Sequence, residues 1–348
     1  MLPGNRFFAR LLAVVAAVAL LAVVGVAAVP GLADRSASPP GGPAVASTSP
    51  AADPPVASGG SPGGAANRAS GAGTGRTLVT RASIIGCAPS APAAAATPAA
   101  RPLAPAAPVA AAASGRWANP SLVERVPVLM YHRVVAFTQA GDSLPSLVVP
   151  PPLFDGQMSA LQAAGWHAIT LRQLAIDLAA GRREPPRTFV PTFDDGYRDG
   201  FLDAFPILKR HGFVGTFFVI AGRVGMSAYL APSDLCAMTR AGDEIANHTV
   251  HHVALGAVSA AVANTEVRTA GRMIEGWTGV APITLAYPFG SHTATAMQVV
   301  GQAGYALAAT TVPGAFESYW DRLAIPRVRV GPGTSPAALV ATLSAYGG

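Results

Sequence analysis

Short apolar runs alternate with helical patterns through the C-terminal two thirds of the chain. Runs rich in β-branched and aromatic residues predict strands at residues 126–131, 167–170, 188–193, 215–220, 244–247, 283–287, 305–310 and 325–330. Helical periodicity predicts helices at residues 154–164, 171–180, 201–211 and 258–275. Strands that alternate with crossover helices are parallel. About seven such units predict an α/β fold, a closed or nearly closed barrel with its chemistry at the C-terminal ends of the strands.

The N-terminus carries a long apolar segment. Residues 11–29 are an unbroken run of 19 Ala, Val, Leu and Gly residues behind Arg6 and Arg10. A signal-peptide core has about 7–15 apolar residues and a bilayer span needs roughly 20. We therefore expect residues 1–33 to be a signal peptide or an N-terminal membrane anchor, with the length favouring an anchor. In both cases the remainder of the chain lies outside the cytoplasm, either membrane-anchored or secreted.

Residues 34–120 are mostly Ala, Pro, Gly, Ser and Thr. No Phe, Trp or Tyr occurs between Phe8 and Trp117, so this stretch cannot build a packed core. It is expected to be a disordered tether in front of a folded domain at residues 121–348. A disulfide between Cys87 and Cys236 is possible in an exported chain, but two cysteines alone do not define a disulfide framework. Cys236 is instead expected to be a small buried residue.

Charge is distributed unevenly between these parts. Residues 1–120 hold 8 Arg and 2 Asp, whereas residues 121–348 hold 16 Lys and Arg against 16 Asp and Glu. The folded part is therefore neutral, and the sequence pI near 9.8 comes from the leader and tether. A nucleic-acid-binding domain carries its own basic face. We expect no nucleic-acid partner and a monomeric protein.

Polar residues cluster after three of the predicted strands. The first cluster contains Asp194 and Asp195 before a glycine turn, and the third is the turn at residues 287–290. The second contains His248, His251 and His252. His248 lies three residues from His251 and four from His252, and either spacing can place two imidazoles on one side of a turn. Spacing alone does not choose between them.

Two imidazoles and one carboxylate form a ligand set that leaves coordination positions open on Zn²⁺ or a similar ion. A catalytic metal needs these open positions for water and substrate. The second carboxylate of the Asp pair can then act as a base. The alternative for the Asp pair is a helix cap, and for each histidine an ordinary packed residue.

These motifs together resemble the polysaccharide deacetylases, the NodB-homology family of carbohydrate esterases. The matching stretches are TFDDG at 192–196, GDEIANHTVHH at 242–252 and AYPFG at 286–290, and the resemblance covers about residues 125–332. It implies a distorted (β/α) barrel that holds a divalent metal, Zn²⁺ or alternatively Co²⁺ or Ni²⁺. The implied metal ligands are Asp195, His248 and His252. The resemblance also implies that Asp194 is the general base and that Tyr287, Pro288 and Phe289 contact the oxyanion and the substrate.

The start of the folded part refines the resemblance. VPVLMYHRV at residues 126–134 is similar to the opening of a permuted subgroup that includes poly-β-1,6-N-acetylglucosamine deacetylases. In that subgroup the histidine that other members carry near the C-terminus stands at the front instead, and no histidine follows His292 here. The resemblance therefore implies His132 as the candidate general acid. Ala286 stands where many members carry an arginine that orients the catalytic Asp, and Arg327 can supply that charge from another strand. The Asp-rich fourth motif has its nearest match at residues 318–321.

The resemblance implies a hydrolase that removes N-acetyl groups from a glucosamine-containing polysaccharide of the cell wall or extracellular matrix and releases acetate. Poly-N-acetylglucosamine and peptidoglycan are the two substrate alternatives. The expected partners are this acetylated polysaccharide and, if the leader is not cleaved, the membrane. Two other functions remain open: a catalytically inactive glycan-binding module, and an O-acetyl esterase that acts on a xylan-like glycan.

Overall fold

The structure is a computed structural model that describes residues 87, 106–141, 143–315 and 317–347. The predicted leader at residues 1–33 and most of the predicted tether lie outside the described residues. Among the residues that are described, no helix combines the length and apolar character needed to cross a bilayer.

The described chain contains twelve strands: β1 (Val123–Glu124), β2 (Val128–Tyr131), β3 (Arg133–Val134), β4 (Val148–Val149), β5 (His167–Ala168), β6 (Thr188–Phe193), β7 (Thr216–Val219), β8 (Glu244–Asn247), β9 (Thr284–Ala286), β10 (Leu307–Pro313), β11 (Glu317–Ser318) and β12 (Ile325–Arg329). The α-helices in the same residues are α1 (Ala106–Ala113), α2 (Pro151–Ala163), α3 (Leu171–Ala179), α4 (Phe205–Arg210), α5 (Pro232–Arg240), α6 (Ala260–Thr278), α7 (Ala294–Gln302) and α8 (Pro336–Gly347).

Seven of the described strands close into a parallel barrel. Their order is β2-β12-β10-β9-β8-β7-β6, and β6 pairs back with β2. Leu129 of β2 lies opposite Val328 of β12 on one side and Pro191 of β6 on the other. The predicted α/β barrel is therefore confirmed. The predicted strand at 167–170 is shorter, and its residues in β5 pair with β6 outside the ring.

Aromatic packing fixes the ends of neighbouring barrel strands. All six residues of β6 are buried, as is usual for a parallel strand covered on both faces. The Phe193 ring stacks between Tyr131 of β2 and Phe217 of β7, with centroid distances of 5.3 and 4.6 Å. Full burial of an aromatic side chain contributes about 1.5–3 kcal/mol. Because Tyr131 and Phe193 end their strands, this stack positions the residues that follow them.

Side-chain hydrogen bonds cap the first turns of two helices, and a glycine caps the end of one. The hydroxyl of Thr170 accepts from the Gln173 amide at the start of α3, and that of Ser259 accepts from the Val262 amide at the start of α6. Helix α6 runs past the predicted stop at Gly276 and ends at Gly279, whose φ of 73° provides the left-handed cap. Helices α5, α7 and α8 were not among the predicted elements.

The folded part extends further towards the N-terminus than the composition predicts. Ala112 of α1 and Trp117 are buried in the same cluster as α3, and the Ala118 amide donates to the Ala179 carbonyl at 2.8 Å. Residues 106–120 therefore form part of the domain rather than of the tether. Cys87 is disulfide-bonded to Cys236 of α5, with the Cα atoms 5.7 Å apart. The expectation that Cys236 is a small buried residue is thus wrong, since it is half-buried and paired.

Candidate active site

Polar side chains converge at one end of the barrel. His132 follows β2, Asp194 and Asp195 follow β6, and His248 follows β8. Arg327 lies on β12, which pairs with β2. Because the barrel strands are parallel, their C-terminal ends meet at the same mouth, which is where (β/α) barrels place their chemistry.

Asp195, His248 and His252 form a group of potential metal ligands. Asp195 Oδ1 lies 3.5 Å from His248 Nε2 and 3.3 Å from His252 Nε2, and the three ligand atoms all lie within 4.8 Å of one another. Bonds of about 2.0–2.2 Å to a tetrahedral ion separate neighbouring ligand atoms by roughly 3.3–3.6 Å. The two carboxylate–imidazole distances therefore match those between ligands of a single ion.

Hydrogen bonding orients His248 as a ligand. Its Nδ1 is 2.8 Å from the Ala286 carbonyl, which can only accept, so Nδ1 carries the proton and Nε2 presents a lone pair. Both Asp195 and His248 are buried, and His252 is partly buried. An imidazole fixed in this tautomer and facing a carboxylate fits the chemistry of a divalent metal centre.

His251 is separate from this group. Its side chain is 72% exposed, and its Nδ1 lies 2.7 Å from Glu266 Oε1. Glu266 Oε2 also accepts the amides of Val250 and His251. The intervening turn is not helical, because Thr249 and His252 have φ values of 66° and 60°. Helical spacing therefore could not decide between the two histidines, and the structure brings His252 to His248.

Arg327 engages Asp194 with both ends of its guanidinium. Nη1 donates to Oδ1 and Nη2 to Oδ2, each at 2.7 Å. Arg327 also donates to the Thr192 hydroxyl at 3.0 Å and the Thr310 carbonyl at 2.8 Å. Burial opposes ionisation of Asp194, but the charge and hydrogen bonds of Arg327 outweigh burial and hold the pKa of Asp194 below its ordinary value. Asp194 is therefore an ionised, rigidly oriented carboxylate beside the ligand group.

His132 also lies close to Asp194. Its Nε2 is 3.9 Å from Asp194 Oδ2, and the side chain is 14% exposed. Burial lowers the pKa of His132, and the nearby carboxylates of Asp194 and Asp195 oppose that shift. An imidazole in this setting can exchange a proton with a group bound at the mouth.

The turn after β9 separates its three predicted substrate residues. Tyr287 is buried and its hydroxyl donates to the Leu323 carbonyl at 2.9 Å, and Pro288 is also buried. Phe289 is 68% exposed and its ring lies 4.5 Å from that of His252. Its φ of 59° places it in the left-handed region. Of the three side chains, that of Phe289 is the one presented at the mouth.

Some contacts of the site were not predicted. Thr192 supports Arg327, Glu266 holds the turn between the histidines, and the Ala286 carbonyl orients His248. A carbonyl carries no sequence signal, and a lone Glu on a helix looks like any surface acid. The stretch at 318–321, the nearest match to an Asp-rich motif, packs elsewhere: Asp321 accepts from Ser318, and Tyr319 contacts Trp117.

Comparison with known proteins agrees with this site. Residues 181–308 match the family model described as polysaccharide deacetylase. YxkH of Bacillus subtilis (strain 168), whose name places it among the polysaccharide deacetylases, is 28% identical over 222 residues, which are 64% of this chain and 77% of that protein.

Solved structures show the same barrel. The deacetylase PplD of Streptococcus pyogenes, in complex with acetate, aligns with a TM-score of 0.58 and 28% identity over 63% of this chain and 97% of that one. IcaB from Ammonifex degensii aligns with a TM-score of 0.56 over 63% of this chain and 97% of that one, and at 24% identity it supports the fold alone. Sequence and architecture therefore agree that residues 181–308, and the barrel that contains them, are similar to the polysaccharide deacetylase family.

Proposed function

We propose that the protein is a metal-dependent hydrolase that removes N-acetyl groups from a glucosamine-containing polysaccharide and releases acetate. One observation carries the proposal: Asp194, held by Arg327, adjoins a ligand group in which Asp195 Oδ1 is 3.5 and 3.3 Å from two imidazole nitrogens. A buried, oriented carboxylate next to a set of metal ligands is an arrangement that suits metal-assisted hydrolysis of an amide by an activated water.

Asp195, His248 and His252 are the residues that would hold the metal. Their carboxylate and imidazole donors suit Zn²⁺, and Co²⁺ and Ni²⁺ are alternatives. When bound, a divalent ion supplies Lewis acidity, which polarises an acetyl carbonyl and lowers the pKa of water. The protein contributes a fixed ligand geometry in which Asp195 and His248 are buried and His252 is partly buried.

Asp194 is proposed as the general base. Arg327 keeps its carboxylate ionised, so an oxygen of Asp194 is ready to accept a proton from the attacking water. The bidentate contact also fixes the direction of the carboxylate. A positioned base of this kind contributes about 10²–10⁴-fold to the rate.

His132 is proposed as the general acid that protonates the leaving amine. Its Nε2 lies 3.9 Å from Asp194 Oδ2, so base and acid face the same space at the mouth. By the family resemblance, the backbone N–H of Phe289 donates to the oxyanion of the tetrahedral intermediate. The exposed Phe289 ring beside His252 offers an apolar face to a sugar ring.

The substrate is proposed to lie outside the cytoplasm. The disulfide between Cys87 and Cys236 supports this location, since such bonds persist in oxidising compartments. The apolar run at residues 11–29 supports export or anchoring, and a membrane-anchored or secreted enzyme reaches wall or matrix glycans. The opening at residues 126–134 favours poly-N-acetylglucosamine, and peptidoglycan is the second candidate.

A panel of acetylated oligomers tests the proposal. Zn²⁺-supplemented protein is incubated separately with four kinds of oligomer: β-1,6-linked N-acetylglucosamine, β-1,4-linked N-acetylglucosamine, muramyl-containing and O-acetylated xylan oligomers. The masses of the products are measured by mass spectrometry. We expect the loss of acetyl groups from N-acetylated glucosamine oligomers. Reaction of the xylan oligomers alone would indicate an O-acetyl esterase, and binding without reaction would indicate an inactive glycan-binding module.

A further inference from the structure

The metal ligands belong to two separate turns of the barrel mouth. Asp195 lies in the turn after β6, whereas His248 and His252 lie in the turn after β8. Strand β7 runs between β6 and β8 in the barrel. The segment that follows β7, residues 220–230, therefore begins between the two ligand turns; we call it the bridging loop.

Backbone hydrogen bonds join the bridging loop to both ligand turns. At its start, the amides of Ala221 and Gly222 donate to the carbonyls of Thr249 and Val250, each at 2.9 Å. These two carbonyls lie between the two histidine ligands. The first end of the loop is thus hydrogen-bonded directly to the turn that carries both imidazoles.

The far end of the bridging loop is held by the Asp195 turn. The Leu230 amide donates to the Gly196 carbonyl at 3.0 Å, one residue after Asp195, and the Arg198 amide donates to the Ala228 carbonyl at 3.0 Å. Tyr197 and Tyr229 also form an antiparallel bridge between the two segments. A single loop therefore connects the carboxylate half of the ligand group to its imidazole half.

A column of stacked side chains reinforces the far end. The rings of Tyr197 and Tyr229 stack with centroids 5.1 Å apart. The Arg133 guanidinium lies 4.2 Å from the Tyr197 centroid on one side, and that of Arg223 lies 5.3 Å from the Tyr229 centroid. Arg133 follows His132 in the chain and is itself held by Asp199 at 2.5 Å. The column therefore also ties the bridging loop to the strand end that carries His132.

The ligand turns need such support because their backbone is strained. Asp195, Thr249 and His252 have φ values of 75°, 66° and 60°, a region that residues with a side chain rarely occupy. Such conformations persist only where the surrounding structure enforces them. We propose that the bridging loop is a positioning element that sets the distance between Asp195 and the two imidazoles and thereby the metal affinity. This inference rests on the proposed metal-dependent function.

Gly222 makes the proposal testable. A Cβ at this position would lie 2.6 Å from the Val250 carbonyl oxygen, a backbone atom that cannot turn aside. The Gly222→Ala side chain must therefore push the bridging loop and the turn between the histidines apart by at least a few tenths of an ångström. Metal–ligand distances tolerate only about 0.2 Å. A Cβ at Gly276 would meet no atom within 4 Å, so Gly276→Ala is the matched control.

The experiment measures Zn²⁺ affinity of the full-length protein, freed of metal, by competition with a chromophoric chelator. We expect Gly222→Ala to bind Zn²⁺ about 10–100-fold more weakly, as is typical when support of a ligand is lost. The visible spectrum of its Co²⁺ form should change as well, and Gly276→Ala should match the unaltered protein in both measurements. Tyr229→Leu, which removes the stack at the other end, is the second variant, with Tyr346→Leu on α8 as its control.

The possible outcomes separate the two proposals. The positioning role would be overturned if Gly222→Ala and Tyr229→Leu both fold and keep the Zn²⁺ affinity and Co²⁺ spectrum of the unaltered protein. A fall in their melting temperatures would not change that conclusion. If Gly222→Ala does not fold, Tyr229→Leu alone decides by the same criteria. If the unaltered protein binds neither Zn²⁺ nor Co²⁺, the proposed function fails, and the positioning role fails with it.

Discussion

Arg327 and Asp194, 133 residues apart in sequence, form a bidentate pair at the barrel mouth, with both N–O distances 2.7 Å. Arg327 is 1% exposed and Asp194 is 4% exposed. Removal of one partner from a buried ion pair leaves an uncompensated charge and costs about 3–5 kcal/mol. The pair therefore stabilises the barrel, and its arginine keeps the carboxylate of the proposed base ionised.

Replacement of Arg327 should move the acidic limb of the pH profile. In Arg327→Gln the burial of Asp194 remains but the opposing charge is gone, so the pKa of Asp194 rises. The base then loses its proton only at higher pH, and kcat/KM should begin to fall at a higher pH than in the unaltered enzyme. Arg329→Gln, an exposed arginine on the same strand, is the control. An unshifted acidic limb in folded Arg327→Gln would contradict this role.

Asp194→Asn should abolish most activity while leaving the ligand group in place. The amide cannot accept the proton of the attacking water, and general-base catalysis is worth about 10²–10⁴-fold. We expect kcat for acetate release to fall by that factor, and Zn²⁺ binding to persist because Asp195, His248 and His252 are all unaltered. Asp203→Asn, on the segment after the same strand, should retain normal activity. A near-normal kcat for Asp194→Asn would assign the base to another group.

His132→Gln should affect substrates according to their leaving group. An amine must be protonated as it leaves, whereas a nitrophenolate leaves without a proton. Loss of the general acid should reduce acetate release from N-acetylglucosamine oligomers by about 10²-fold or more, and hydrolysis of p-nitrophenyl acetate by less than about tenfold. Equal losses on both substrates would show that His132 acts through the structure of the site instead. His211→Gln is a control remote from the mouth.

The choice between the two neighbouring histidines can be tested by metal binding. His252 faces Asp195, while His251 is 72% exposed and paired with Glu266. We expect His252→Gln to weaken Zn²⁺ binding more than about 100-fold, because a ligand is lost rather than a supporting contact. His251→Gln should change it by less than about tenfold. The reverse order in a chelator competition would overturn the assignment of His252.

The disulfide should stabilise the domain. Cys87 and Cys236 close a loop with a sequence separation of 149 residues, and bonds that close long loops typically contribute about 2–4 kcal/mol. Cys236→Ser should lower the free energy of unfolding in urea by that amount in the absence of reductant. Cys87→Ser and the double variant should show the same loss, and reductant should remove the difference. Additive losses would indicate that each cysteine acts separately.

The sequence predicted the parts of the fold that depend on local pattern. Strands at 188–193 and 244–247 match β6 and β8, and every residue of both strands is buried, as is usual for parallel strands covered on both faces. Helix α6 was predicted with the wrong end, since both Gly276 and Gly279 can stop a helix and tertiary packing decided between them. Trp117 was assigned to the tether because composition cannot show that α1 packs against α3.

The sequence could predict only those site residues that stand within short motifs. Asp194, Asp195 and the histidines stand in short recognisable stretches, whereas Arg327 meets Asp194 only through the closure of β12 onto β2. The bridging loop was not predicted at all. Its contacts with Thr249, Val250 and Gly196 are made by backbone amides, and backbone hydrogen bonds between loops leave no residue pattern to detect.

Zinc titration of metal-free protein tests the central claim most directly. Acetate released from an N-acetylglucosamine oligomer is measured as Zn²⁺ is added to the unaltered protein and to a variant in which Asp195, His248 and His252 are all replaced by Ala. We predict that activity rises from near zero and reaches a plateau at a single bound ion per chain, and that the triple variant stays inactive. Acetate release that is independent of added Zn²⁺ and of an excess of chelator, or that survives in the triple variant, would contradict the account.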